Sequence, residues 1–252
     1  MNTTYLALET RRVARDLAGL FFIVGLPAFL YLIFGAGQEW GDVQLEHGNV
    51  AMYVMVGMAA YGAVTATTGV GGSAAVERMQ GWGRQLGLTP LSDRHYVALK
   101  AVVAVAIAAL PVLLIFGLGW VTGAQAEAWV WVVCALAVLL GATTFALYGL
   151  AIGLAFRSES AVSVAGGSLV ILGFLGNLFF PLTGTMLTIA KFTPLYGYAA
   201  LARFPIAEGG YTDADGGLGS DPLWLPITNV VVWTLIFAAV ATLVVRRSRG
   251  RQ

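Results

Sequence analysis

Charge is what this sequence has least of. Asp, Glu, Lys and Arg make up 11% of its 252 residues against 58% hydrophobic, and mean hydropathy is +0.81, a composition outside the range of soluble globular domains. With a net charge of +1, bulk electrostatics select no nucleic acid as partner. The single cysteine, Cys134, lies inside an apolar run, which excludes a disulfide framework and a thiol metal site. His47 and His95 stand far apart and form no zinc pattern. The two lysines, Lys100 and Lys191, follow no glycine-rich turn, so the chain has no phosphate-binding loop for ATP. No catalytic, cofactor or metal motif remains, and the sequence reads as that of an integral membrane protein that is not itself an enzyme.

What it has instead is long apolar runs. Six spans are predicted, over 17–36, 50–76, 98–122, 128–156, 160–180 and 223–245, each sufficient for the roughly 20 residues that cross the hydrocarbon. Residues 123–127, with Glu127 their only charge, separate the third and fourth, and only Arg157-Ser158-Glu159 the fourth and fifth, so both pairs are tight hairpins. Residues 1–16 carry Arg11, Arg12 and Arg15 beside Tyr5, Leu6, Leu8 and Val13 and read as an interfacial helix. The run that follows is longer than the apolar core of a signal peptide, so it is counted as a span. Ionisable residues are missing from the span interiors, whereas proton- and ion-coupled carriers keep such groups at the midplane.

Orientation follows from the basic residues. With both termini in the cytoplasm, twelve of the fourteen Lys and Arg fall inside; Lys191 and Arg203 fall outside, together with Glu39, Asp42, Glu46, Glu127, Glu208, Asp213, Asp215 and Asp221. The expected protein is therefore an all-α, multi-pass protein of the plasma (inner) membrane, one transmembrane domain over 1–252, in contact with lipid.

Two stretches stand out as functional. The first, 77–94, is a polar island between the second and third spans. Trp82 and Leu86 share one helical face, with Leu88 beyond, Arg78 and Arg84 on the other positions, and Pro90 as the stop; a short amphipathic helix here suits docking against another protein. The second is the uncharged stretch 160–190, which at about 1.5 Å per residue overshoots a bilayer by roughly half. Asn177, Pro181 and Gly184 interrupt it, and Thr193 with Pro194 opens another helix. An outer re-entrant hairpin over 181–206 is the expectation, with its tip shielded from lipid, Lys191 interacting with the carbonyls that end the first half-helix, and Arg203 doing the same for the second or pairing with an outer carboxylate. Tyr148, Phe174, Asn177, Phe179 and Phe180, with Pro181, Pro194 and Arg203, are the candidate substrate path and outer gate, and Tyr211 lies in the exposed loop.

Ser73 and Ser168, each after a Gly-Gly pair, raise the alternative of an intramembrane hydrolase, but neither has a base within reach. Close helix packing accounts for both sites, as it does for the Gly149…Gly153 pair, whose other reading is a dimer face. A membrane structural or signalling protein without transport is the other alternative.

Glu77, Gly81, Leu86, Thr89, Pro90, Leu91 and Ser92 after the second span, and Pro194, Leu195 and Arg203 before the sixth, resemble the permease subunit of a type-2 ABC exporter. The likeness covers nearly the whole chain. Gly197 stands where a polar or aromatic residue is usual, and Trp82-Gly83 replaces a commoner charged-and-small pair. The resemblance implies a coupling helix carrying Glu77, Arg78, Gly81, Trp82, Arg84, Leu86, Leu88 and Pro90. Its implied partners are two copies of a cytoplasmic ABC ATPase that hold ATP and Mg, and a second permease, either an identical copy or a related chain. Its cargo would be a hydrophobic or amphipathic compound exported from the cell.

Overall fold

A chain with this little charge has to satisfy its backbone internally, and helices do that inside a bilayer. The computed structural model describes residues 15–79, 93–156, 160–212 and 217–249. The chain is mostly helical: α1 (Leu17–Ala36), α2 (Val50–Met79), α3 (Asp93–Val121), α4 (Ala128–Phe156), α5 (Ser160–Leu175), α6 (Gly184–Ala190), α7 (Pro194–Ala207) and α8 (Trp224–Arg249). A small antiparallel hairpin, β1 (Gly210–Thr212) with β2 (Leu218–Ser220), sits between α7 and α8 and departs from the all-helical expectation.

Among the described residues five helices are long and apolar enough to cross a membrane: α1, α2, α3, α4 and α8. The fifth apolar stretch differs from expectation. Its helix stops at Leu175, not near residue 180, and its 16 residues reach about 24 Å, short of the roughly 30 Å hydrocarbon core. The stop is local: Asn177 turns into the left-handed region at φ 56, its N–H donates to the Phe174 carbonyl at 3.3 Å, and Leu178 N–H donates back to the Gly173 carbonyl at 3.1 Å. The expected third and sixth spans, 98–122 and 223–245, fall to within one residue on the longer helices α3 and α8.

α2 is the central helix. Its span is 78% buried, against 11% for α1 and 17% for α8. Glycines set its spacing to neighbours: a Cβ at Gly71 would lie 2.0 Å from the Ala146 carbonyl oxygen, and one at Gly149 2.1 Å from that of Thr68. Thr67 and Thr68 then donate across to the Ala142 and Phe145 carbonyls. The Gly149…Gly153 pair is thus spent on α2 within the chain. At Gly62 both α1 and α3 come close, through the Ile23 carbonyl and the Pro111 ring; that carbonyl is the one Pro27, lacking an N–H, cannot bond. Asn49, fully buried, caps α2 through Met52 N–H, accepts from Gln125 N–H and donates to the Gly123 carbonyl, so one amide joins the start of α2 to the α3–α4 turn.

α7 buries nine of its fourteen residues. Thr193 caps it, accepting from Tyr196 N–H, with Pro194 in the first turn. Tyr198 donates to the Val138 carbonyl at 2.8 Å, its ring over Gly141, and Asn229 of α8 donates to the Lys191 and Thr193 carbonyls. The large side chains on the outward faces of the bundle, such as Leu113, Leu140 and Leu235, are more than half exposed, as a lipid solvent permits.

Candidate functional site

The principal concavity lies between α1, α2, α3 and α5, in the half of the bundle where α1 begins and α2 ends. It measures about 620 Å³, within the 300–1,000 Å³ usual for small-molecule sites. Its walls come from helical faces that present small or polar residues. On α5 these are Ser163, Gly166, Gly167 and Val170; on α2 they are Tyr61, Thr65, Thr68, Gly69 and Ser73; α1 adds Ile23 and, at its start, Asp16. A Cβ at Gly69, Gly166 or Gly167 would meet nothing within 4 Å. Gly166 and Gly167 therefore face open space, contrary to the packing expectation, whereas Gly71 and Gly72 do pack against neighbours, with Gly71 against α4. The wall thus sets hydroxyls and one carboxylate, Asp16, among apolar groups. Tyr61, on the cavity wall, meets the Phe179 ring edge to face at 4.7 Å. Phe179 in turn lies on Gly173, where a Cβ would be 2.3 Å away, and against Phe174 at 5.2 Å.

The eight residues of the expected path fall into separate places, and none lines this cavity. Phe174 and Phe179 form the aromatic cluster just described. Tyr148 shares a hydrogen bond with Ser168 and packs on Phe237 of α8. Phe180 and Pro181 are exposed, and Pro194 is buried at the start of α7. Asn177 and Arg203 come together around a second space of about 20 Å³, room for one water. Asn177 Oδ1 accepts from Leu182 N–H at 2.7 Å. Arg203 is only 6% exposed; it donates to the Asn177 and Leu178 carbonyls at 3.3 Å each, stacks its guanidinium over Tyr53 at 4.5 Å, and leaves Nε without a partner. Its charge thus meets the carbonyls beyond α5, not those of α7 and not a carboxylate. Lys191 also differs from expectation, pairing with Asp221 at 2.6 Å and with the Tyr211 hydroxyl at 3.2 Å.

Of the island residues, Glu77 and Arg78 lie in the last turns of α2, while Gly81, Trp82, Arg84, Leu86, Leu88 and Pro90 lie outside the described residues. His47 is held by Glu127 and Glu208, at the other end of α2 from Ser73. No group of three or more His, Cys, Asp or Glu suited to a metal occurs among the described residues.

The cavity residues missed by sequence reasoning carry a readable signal. Ser163, Gly166, Gly167 and Val170 follow the i, i+3, i+4, i+7 spacing of one helical face, and Tyr61, Thr65, Thr68 and Gly69 the i, i+4, i+7, i+8 spacing of one on α2.

Helices of this length and apolarity around a chamber of mixed polarity define a polytopic membrane protein. No family model matches the chain. It is similar to a Bacillus subtilis (strain 168) protein named "Putative transport permease YvfS", 25% identical over 178 residues, covering 69% of this chain and 68% of that protein.

Proposed function

We propose that the chain is the permease subunit of an ATP-driven ABC exporter, moving a hydrophobic or amphipathic compound out of the cell. The observation that carries this reading is the cavity of about 620 Å³, walled by hydroxyls and apolar groups; the likeness to a protein named as a transport permease supports it. The chain has no nucleotide loop, so ATP and Mg belong to a separate cytoplasmic ATPase, two copies of which act with two permeases, identical or related.

In this reading both termini and the 77–94 island are cytoplasmic, and the cavity opens towards that side. Tyr61, backed by the Phe179 ring, closes its far end. The break between Leu175 and Gly184 is the joint about which α6 and α7, as a re-entrant hairpin, part from α5 to open an outward path; the burial of α7 supports it. The coupling helix carries the stroke of the ATPase to the ends of α2 and α3. Glu77→Lys, Gly81→Trp, Trp82→Ala and Leu86→Ala should leave the permease in the membrane and weaken its assembly with the ATPase, each apolar truncation by about 1–3 kcal/mol of docking.

The deciding experiment fills the chamber. Gly167→Trp adds a Cβ that meets no atom within 4 Å on the wall of the chamber, so expression and ATPase assembly should persist while export and cargo-stimulated ATP hydrolysis are lost. Export at the normal rate by this variant would rule the chamber out as the cargo site.

A further inference from the structure

At the end of the bundle opposite the 77–94 island, three connections meet on one imidazole. His47 lies between α1 and α2, Glu127 directly before α4, and Glu208 at the C-cap of α7. His47 Nδ1 is 3.0 Å from Glu127 Oε1, and Nε2 is 3.2 Å from Glu208 Oε1. A carboxylate only accepts, and a neutral imidazole has one N–H and one lone pair. Both contacts can be attractive together only when both ring nitrogens carry protons.

The main chain reinforces the junction: His47 N–H donates to the Ile206 carbonyl of α7 at 3.0 Å, and Glu127 N–H to the His47 carbonyl at 3.1 Å. The charged groups acting on the ring are Glu127 and Glu208, and the Trp129 indole stands edge-on to it at 5.3 Å. The two carboxylates are held unequally. Glu127 is also fixed by Trp129 Nε1, which donates to its second oxygen at 2.8 Å. Glu208 sits at φ 49, a left-handed conformation unfavourable to a residue with a Cβ.

We propose that His47 is a proton-operated clasp: protonated, it ties the end of α7 to the α3–α4 turn, and on losing its proton it keeps Glu127 and lets Glu208 go. The hydrogen bonds to Glu127 and then Glu208 raise the imidazole above its ordinary 6.5, while the bond to His47 lowers the Glu127 carboxyl below 4.5. A raised histidine contributes fully below its unfolded value and loses that contribution as pH rises through the folded one. The lowered carboxylate sets the acid limit, contributing above its unfolded value and lost as pH falls through its folded one. The clasp is closed between these titrations and opens on the alkaline side. It stands on the geometry of the junction alone; only a consequence for export, through release of α7, rests on the permease reading.

The test uses the full chain in lipid nanodiscs with ¹³C-labelled histidine, assigned through His95→Gln. His47 should titrate above 6.5, and Glu127→Gln and Glu208→Gln should each lower it. Amide exchange over 204–212, corrected for the intrinsic pH dependence, should rise roughly threefold or more from about pH 6 to 8, and in His47→Gln it should not change over that range. A wild-type His47 that titrates at or below 6.5, or equal corrected exchange at the two pH values, would overturn the clasp.

Discussion

At Asn177 one side chain answers two demands of the backbone. The chain must leave α5 abruptly, and φ 56 is a conformation that Asn tolerates better than most residues; the same side chain then accepts from Leu182 N–H. Asn177→Leu should lower stability by about 1–3 kcal/mol, through strain and a lost half-buried bond. Asn177→Gly, which removes only the bond, should cost less. Thermal unfolding of the purified protein gives the order, and equal melting temperatures for the two variants would argue against the strain component. Arg203 is the second such residue. Its fork reaches two carbonyls and lies over Tyr53, a geometry a lysine cannot reproduce, so Arg203→Lys should destabilise by about 1–3 kcal/mol despite keeping the charge.

Among the elements, α6 and α7 depend on a polar pin at their outer side. Lys191 follows α6, Tyr196 belongs to α7, Tyr211 to β1, and all three bond with one another or with Asp221, which is 5% exposed. The pin gathers the hairpin, both short helices and the approach to α8. Tyr211, which the sequence places in an exposed loop, is thereby a structural partner, with Lys191 5.0 Å from its ring centre. Asp221→Asn should cost about 1–3 kcal/mol, less than a fully buried pair because Lys191 is a quarter exposed. Tyr211→Phe, which keeps the ring, should cost under about 1 kcal/mol. If Asp221→Asn melts with the wild type, the pin is decorative.

For the whole molecule the decisive quantity is topology. The distribution of basic residues leads to the expectation that both ends and the island face the cytoplasm, and side-specific labelling tests it. Cys134 is buried, so introduced cysteines label over a low background. In intact cells a cysteine at Asp42 should react with an impermeant reagent and one at Ser248 should not; the reverse pattern would invert every assignment of side, including that of the chamber mouth.

What the sequence determined by itself is what depends on local composition. Scarce charge and runs beyond 20 residues demand a membrane and helices, Thr193 and Pro194 start α7, and Asn177 lies in the break after α5. What only the tertiary structure decided is which residues meet. Gly-Gly-Ser occurs twice, at 71–73 and 166–168, with the same local chemistry; in the first, Gly71 and Gly72 pack against neighbouring helices, while in the second Gly166 and Gly167 face a cavity. A glycine permits close approach but does not supply the neighbour. Arg203 likewise reads as a cation near a helix end, yet its partners lie 25 and 26 residues away. The carbonyls it meets are free because α5 stops early, and the fold alone brings them within reach.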